Sequence, residues 1–210
     1  MSIRPVRHIS GTTPHLEGAG VSLQRVFGFG DPSLTDPFLM MDDFRNDRPE
    51  NYVKGFPWHP HRGIETITYV LAGEVEHGDS LGNRGTLGAG DVQWMTAGSG
   101  ILHQEMPKGD AKGRMHGFQL WANLPSNLKM TSPRYQDVKS KEIPEIVDDD
   151  GTAVRVDAMR MQQVLTNLLS NAAKFSPRSR SLRFCRKDGL ASISSARTGR
   201  TTATVRMSGS

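Results

Sequence analysis

From Gly20 to about Val156 the chain sets apolar and polar residues in short alternating runs, broken by Gly, Pro, Asn and Asp. "ETITYVL" (65–71) is rich in β-branched and aromatic residues, and "VQWMTAG" (92–98) and "HGFQLWANL" (116–124) share its texture. Successive side chains of a strand point to opposite faces, so these runs predict half-buried strands. "GEVEHGDSLGNRGTLGAGD" (73–91) reads as a turn-laden span between them. Short strands with glycine punctuation and few helical periods predict an antiparallel sandwich or barrel.

At Asp157 the period changes. "DAMRMQQVLTNLLSNAAKF" places Met161, Val164, Leu165, Leu168, Ala172 and Phe175 on one helical stripe. Asp157 suits the N-cap and Ser176-Pro177 stops the run. An amphipathic helix beside an all-β texture predicts a domain junction. Beyond it the chain is rich in Ser, Arg and Thr with few large apolar residues, which predicts a disordered basic tail over 178–210.

Charge changes the picture only locally. The 210 residues carry a net charge of +4. Residues 176–210 hold eight Arg/Lys and one acid, while the rest holds 18 Arg/Lys against 21 Asp/Glu. The basic character belongs to the tail and not to the body, which argues against a nucleic-acid face. No apolar run approaches the ~20 residues that a bilayer helix needs, and the N-terminal "MSIRPVRHIS" has no signal-peptide stretch. A soluble cytoplasmic protein is the expectation. A single cysteine, Cys185, excludes an internal disulfide and cysteine-based zinc sites.

The candidate chemistry lies in "FPWHPHRG" (56–63) and "GILHQEM" (100–106). His59 and His61 are one residue apart, as are His103 and Glu105. On strands each pair shares a face. Two such pairs converging inside a barrel give three imidazoles and one carboxylate, a set suited to a first-row divalent metal: Fe, Mn, Ni, Cu or Zn. Four protein ligands on an octahedral ion leave two positions open. Either pair alone is a weak signal, since many histidines are surface groups or hydrogen-bonded core residues. Glu65 stands as a fifth ligand, a partner holding an imidazole, or a solvated strand residue. His8, His15 and His77 fall in turn-rich or terminal sequence and read as surface groups. His116 reads as structural, and Trp58, Trp94 and Trp121 as core or pocket wall. Gly63 reads as a backbone requirement.

"HPHRGIETITYVLAGEVEHGDSLGNRGTLGAGDVQWMTAGSGILHQE" resembles the pirin family of the cupin superfamily. The resemblance extends upstream over "VFGFGDPSLTDPFLMMDDF" and downstream over "GFQLWANLP", "SPRYQDV" and "EIPEIVDDDGTAVRV", covering residues 2–156. It implies a cupin jelly-roll barrel with one metal, Fe(II) first among divalent ions, held by His59, His61, His103 and Glu105. It also implies one of two activities. The first is cleavage of a flavonol such as quercetin by a 2,3-dioxygenase, with Glu105 as catalytic base and release of carbon monoxide. The second is an iron-dependent regulatory module that binds a protein partner, such as a transcription factor, without turnover.

Pirins carry two cupin domains in tandem, and here the resemblance stops after the first. "DAMRMQQVLTNLLSNAAKFSP" (157–177) instead resembles the N-box of a histidine kinase ATP-binding domain, with Asn171 and Lys174 at its Mg²⁺ and phosphate positions. "LRFCRKDGLASISSARTGR" (182–200) faintly follows the strand pair after that box, but Arg197 stands where the adenine-reading Asp belongs. The nucleotide pocket is incomplete, which argues against ATP binding. The expectation is a bacterial, truncated pirin joined to a kinase fragment, an arrangement that a third reading regards as non-functional. Loss of the second cupin domain would expose apolar surface and favour self-association.

Overall fold

The computed structural model describes residues 11–30, 32–147, 153–155, 182–187, 190–195 and 203–206. The chain divides into two compact units, His8–Val156 and Met1–Arg7 with Asp157–Ser210.

In chain order the first unit contains β1 (Thr13–Glu17), β2 (Val21–Phe27), the single turn α1 (Pro32–Thr35), β3 (Phe38–Asp43), β4 (Phe56–His61), β5 (Ile64–Ala72), β6 (Glu74–Asp79), β7 (Arg84–Leu87), β8 (Val92–Thr96), β9 (Ile101–Lys108), β10 (His116–Asn123), β11 (Arg134–Val138), β12 (Glu145–Val147) and β13 (Ala153–Arg155). A seven-stranded sheet runs β1-β2-β3-β10-β5-β8-β11, and a four-stranded sheet runs β4-β9-β6-β7. β12 and β13 pair separately. Every pairing is antiparallel.

The two large sheets close on a shared core. Val21 and Leu23 of β2 and Val70 of β5 pack in one buried cluster with Val75 of β6 and Leu87 of β7. This is the barrel that the alternating pattern predicts. The turn-laden span 73–91 folds as the β6–β7 hairpin, with His77 opposite Gly85. Asp79 caps its bend. One carboxylate oxygen accepts the backbone N–H groups of Leu81 and Asn83 at 2.9 and 3.0 Å, and the other accepts the Asn83 amide at 2.7 Å.

Local sequence explains why β4 and β9 present their histidines. Along β9 burial alternates strictly, with Ile101, His103, Glu105 and Pro107 facing inward. β4 is an edge strand, which lets it carry Pro57 and Pro60 without breaking a ladder on both sides. A register shift lies between Phe56 and His59, after which His59 pairs with His103 and His61 with Ile101. Gly63 turns the chain from β4 into β5 with φ of 69°, a backbone that side-chain-bearing residues rarely adopt.

In the second unit β14 (Leu182–Lys187), β15 (Leu190–Ser195) and β16 (Ala203–Arg206) form an antiparallel meander. The β14–β15 hairpin stands where the kinase-like strand pair is expected. The helix expected over 157–177 lies outside the described residues, as do Asn171 and Lys174.

Candidate metal centre

The inward faces of β4 and β9 bring His59, His61 and His103 together. A ring nitrogen of each lies within 4.8 Å of the others. The ring centroids are 4.3 Å apart for His59 and His103, 4.8 Å for His59 and His61, and 4.9 Å for His61 and His103.

The hydrogen bonds fix what the rings offer. His59 Nδ1 lies 2.7 Å from the Pro57 carbonyl, which can only accept, so Nδ1 carries the proton. Its Nε2 lies within hydrogen-bond distance of His61 Nε2, at 3.1 Å. His103 is 2% exposed, and its Nε2 is buried with no hydrogen-bond partner. Burial first, then the neighbouring His103 and His59, lowers the His61 pKa to about 4. Burial also lowers that of His103, against the opposing pull of Glu105. Imidazoles whose protonation burial disfavours, as for His61 and His103, suit a divalent cation, which binds the neutral ring. Buried polar atoms are almost always satisfied, so the orphaned nitrogen of His103 marks a place for a ligand. The residues present fit a metal.

Glu105, the fourth residue of the expected set, lies outside the donors that are within 4.8 Å of one another. Its carboxylate is 4% exposed and engaged elsewhere. Gln119 Nε2 donates to Oε1 at 3.0 Å and to Oε2 at 2.9 Å, and Thr68 Oγ1 donates to Oε1 at 3.2 Å. The Gln119 carbonyl in turn accepts the Trp121 indole N–H at 3.2 Å. Trp121 stands edge-on to His61, 4.9 Å between centroids.

These groups border a cavity of about 530 Å³ whose lining includes Phe29, Trp58 and Trp121 together with His59, His61 and Glu105. That volume lies within the ~300–1,000 Å³ range of small-molecule sites. Phe29 packs on Trp121 at 6.3 Å and is 64% exposed, which places an aromatic pair at an accessible wall.

The Pirin family profile matches residues 20–122. The chain carries a Pirin-family domain. Over 156 residues it is 50% identical to a pirin-like protein of Caulobacter vibrioides, covering 74% of this chain and 56% of that one. It is 48% identical over 157 residues to a Pseudomonas aeruginosa protein named as a candidate quercetin 2,3-dioxygenase, covering 75% and 55%. Among solved structures, a quercetin 2,3-dioxygenase from Acinetobacter baumannii is 39% identical with a TM-score of 0.61, covering 70% of this chain and 54% of that one. The chain thus spans about half the length of the curated relatives it matches.

Within the pirin domain the structure also places the other residues singled out in the sequence. Glu65 is not solvated: it is 3% exposed and accepts the Thr96 hydroxyl at 2.8 Å, apart from the histidine set. His77 is not a surface group. Its side chain is 1% exposed, with Nε2 3.1 Å from Asp137 Oδ2 and the Tyr135 hydroxyl against its ring. The alternation in "EVEHGD" carries the signal: Val75, His77 and Asp79 share the inward face and Glu74 and Glu76 the outward one. His15 is half-buried on β1, and His8 lies outside the described residues. His116 packs against Phe118 at 5.5 Å, and Trp94 is buried. Among the described residues no helix is long and apolar enough to cross a membrane.

Proposed function

We propose that this pirin domain binds one divalent first-row metal, Fe(II) foremost, and supports oxygenase chemistry of the quercetin 2,3-dioxygenase kind on a flavonol-like substrate. The observation that carries the metal is the convergence of three imidazoles, one with a buried and unpartnered Nε2, two of which line an aromatic-walled cavity. His59, His61 and His103 would hold the ion, with Glu105 completing the set when its carboxylate turns toward them. The metal would supply Lewis acidity, lowering the pKa of a bound hydroxyl, and open positions for substrate and oxygen.

The remaining roles belong to the chain. Trp121 and Phe29 offer a flat apolar wall against which an aromatic ring lies, and they exclude water from the site. Glu105 is the general base: its Oε atoms border the cavity, and it takes the proton of the substrate hydroxyl. Relatives named for quercetin dioxygenase support the substrate class.

A second reading, a metal-bound module that docks a protein without turnover, is favoured by exposed apolar residues near the site. Trp58 of β4 is 52% exposed, and Leu102 of β9, opposite Pro60, is 48% exposed. Elemental analysis and oxygen uptake with quercetin separate the readings. About one metal equivalent and oxygen consumption lost in Glu105→Ala support the enzyme. One equivalent with no uptake favours the docking module. No metal after anaerobic Fe(II) loading overturns both.

A further inference from the structure

Gln119 joins three features that sequence distance keeps apart. Its amide nitrogen grips both oxygens of Glu105, at 3.0 and 2.9 Å. Its carbonyl accepts the indole N–H of Trp121 at 3.2 Å. Trp121 is a cavity wall and touches His61 edge-on. The indole decides the orientation of the amide. Turning Gln119 over would set its NH₂ against another N–H and its carbonyl against a carboxylate, two repulsive contacts in place of two bonds. Trp121 is therefore the reason that Gln119 offers a donor to Glu105.

We propose that Gln119 is the positioning residue of this centre: it fixes the orientation of the Glu105 carboxylate, and Trp121 makes that orientation depend on the cavity wall. This rests on the metal reading above. Thr68 Oγ1 fills a further acceptor position on Oε1 at 3.2 Å, so Oε2 is the oxygen held by Gln119 alone. Oε2 is thus the oxygen with the fewest restraints, and Gln119 is the restraint that it has. An occupant that shifts Trp121 alters the grip on the base without touching the base itself.

The test uses the full chain and Co(II) as the probe, with affinity and the d–d absorption spectrum as readouts. Gln119→Leu keeps the volume and removes both the donor and the acceptor. It is expected to bind one Co(II) with affinity lowered about tenfold, the usual scale for residues that orient a ligand, and with a changed spectrum. Glu105→Gln in the same background is expected to abolish the difference, because Gln119 acts through Glu105. Trp121→Phe keeps the wall and removes the indole donor. It should shift the spectrum in the same direction by a smaller amount, and it stands in for Gln119→Leu if that variant fails to fold. Unchanged affinity and spectrum in both variants overturn the proposal and leave the metal reading intact. A Gln119→Leu effect that persists undiminished alongside Glu105→Gln also overturns it. A parent chain that takes up no Co(II) overturns the metal reading and this proposal together.

Discussion

Two buried histidine clusters sit inside one barrel, and they differ in what their polar atoms are for. At β4 and β9, His59, His61 and His103 point ring nitrogens at one another, and the Nε2 of His103 has no partner. At β6 and β11, His77 is held by Asp137 at 3.1 Å and by the Tyr135 hydroxyl, to which Gln93 Nε2 also donates at 2.8 Å. The first cluster uses His59 on the Pro57 carbonyl and on His61 and leaves the His103 Nε2 unpartnered. The second binds its imidazole from two sides and leaves Asp137 Oδ1 and Gln93 Oε1 unpartnered. Burying an unsatisfied polar atom costs about 1–3 kcal/mol. Both clusters carry some of that cost, so what separates them is geometry: the first brings three imidazoles together, and the second pairs one imidazole with a carboxylate and a phenol. The second cluster instead joins β6 of the small sheet to β11 of the large one, where no backbone ladder runs between them.

The sharpest way to break this comparison is to remove the orphan. His103→Leu is expected to weaken Co(II) or Fe(II) binding more than about a hundredfold, beyond what residues behind a ligand cost. The metal-free protein is expected to gain about 1 kcal/mol, because the variant deletes an unpaired buried nitrogen. Titration calorimetry and urea unfolding of the metal-free chain measure the two effects. A metal-free variant that loses stability would show that His103 is a structural group like His77.

The converse holds at the second cluster. His77→Ala leaves the part-buried Asp137 carboxylate and the Tyr135 hydroxyl without their partner and is expected to cost about 1–3 kcal/mol. Metal affinity is expected to fall far less than in His103→Leu, since His77 bonds Asp137 and Tyr135 and stands outside the histidine set. Gly85 sharpens the point. A Cβ there would stand 2.8 Å from His77 Nε2 and 3.0 Å from Asp137 Oδ2. Gly85→Ala is therefore expected to cost about 1–3 kcal/mol through overpacking. Much of that cost should vanish when His77 is already alanine. Additive costs in the double variant would place the strain elsewhere.

What the sequence discloses follows from which contacts are local. The barrel and the pairs His59/His61 and His103/Glu105 are legible because the strand period puts residues two apart on one face, and no tertiary information is needed. Gln119 is not legible. It lies 14 residues from Glu105, on a strand of the opposite sheet, and nothing in "HGFQLWANL" distinguishes an inward Gln from an ordinary polar residue. The position of Trp121 two residues on was the available hint, since alternation puts the pair on the same face. His77 was hidden for another reason. Glycines on both sides of its hairpin suggested turns, yet Gly85 is there to make room for the His77–Asp137 contact and not to bend the chain.

The most gradual expected effect, spread over more than two pH units, tests whether the first cluster keeps His61 neutral. The His61 pKa is lowered from 6.5 to about 4, by burial first and by His103 and His59 next. Between those values the unfolded chain binds a proton that the folded chain does not. Stability of the metal-free protein should therefore be complete above about pH 6.5 and decline as the pH falls toward 4. One pKa unit corresponds to about 1.4 kcal/mol, and solvent screening at a partly exposed ring brings the total to about 2 kcal/mol. His61→Asn should flatten that slope, measured as urea midpoints across pH 4–7. Saturating Co(II) should steepen it, because a bound cation and a proton compete for the same lone pairs. A slope unaffected by His61→Asn would mean that the ring takes up its proton in the folded state as readily as in the unfolded chain. The contrast between a cluster open to a metal and one closed on itself would then lose its electrostatic half.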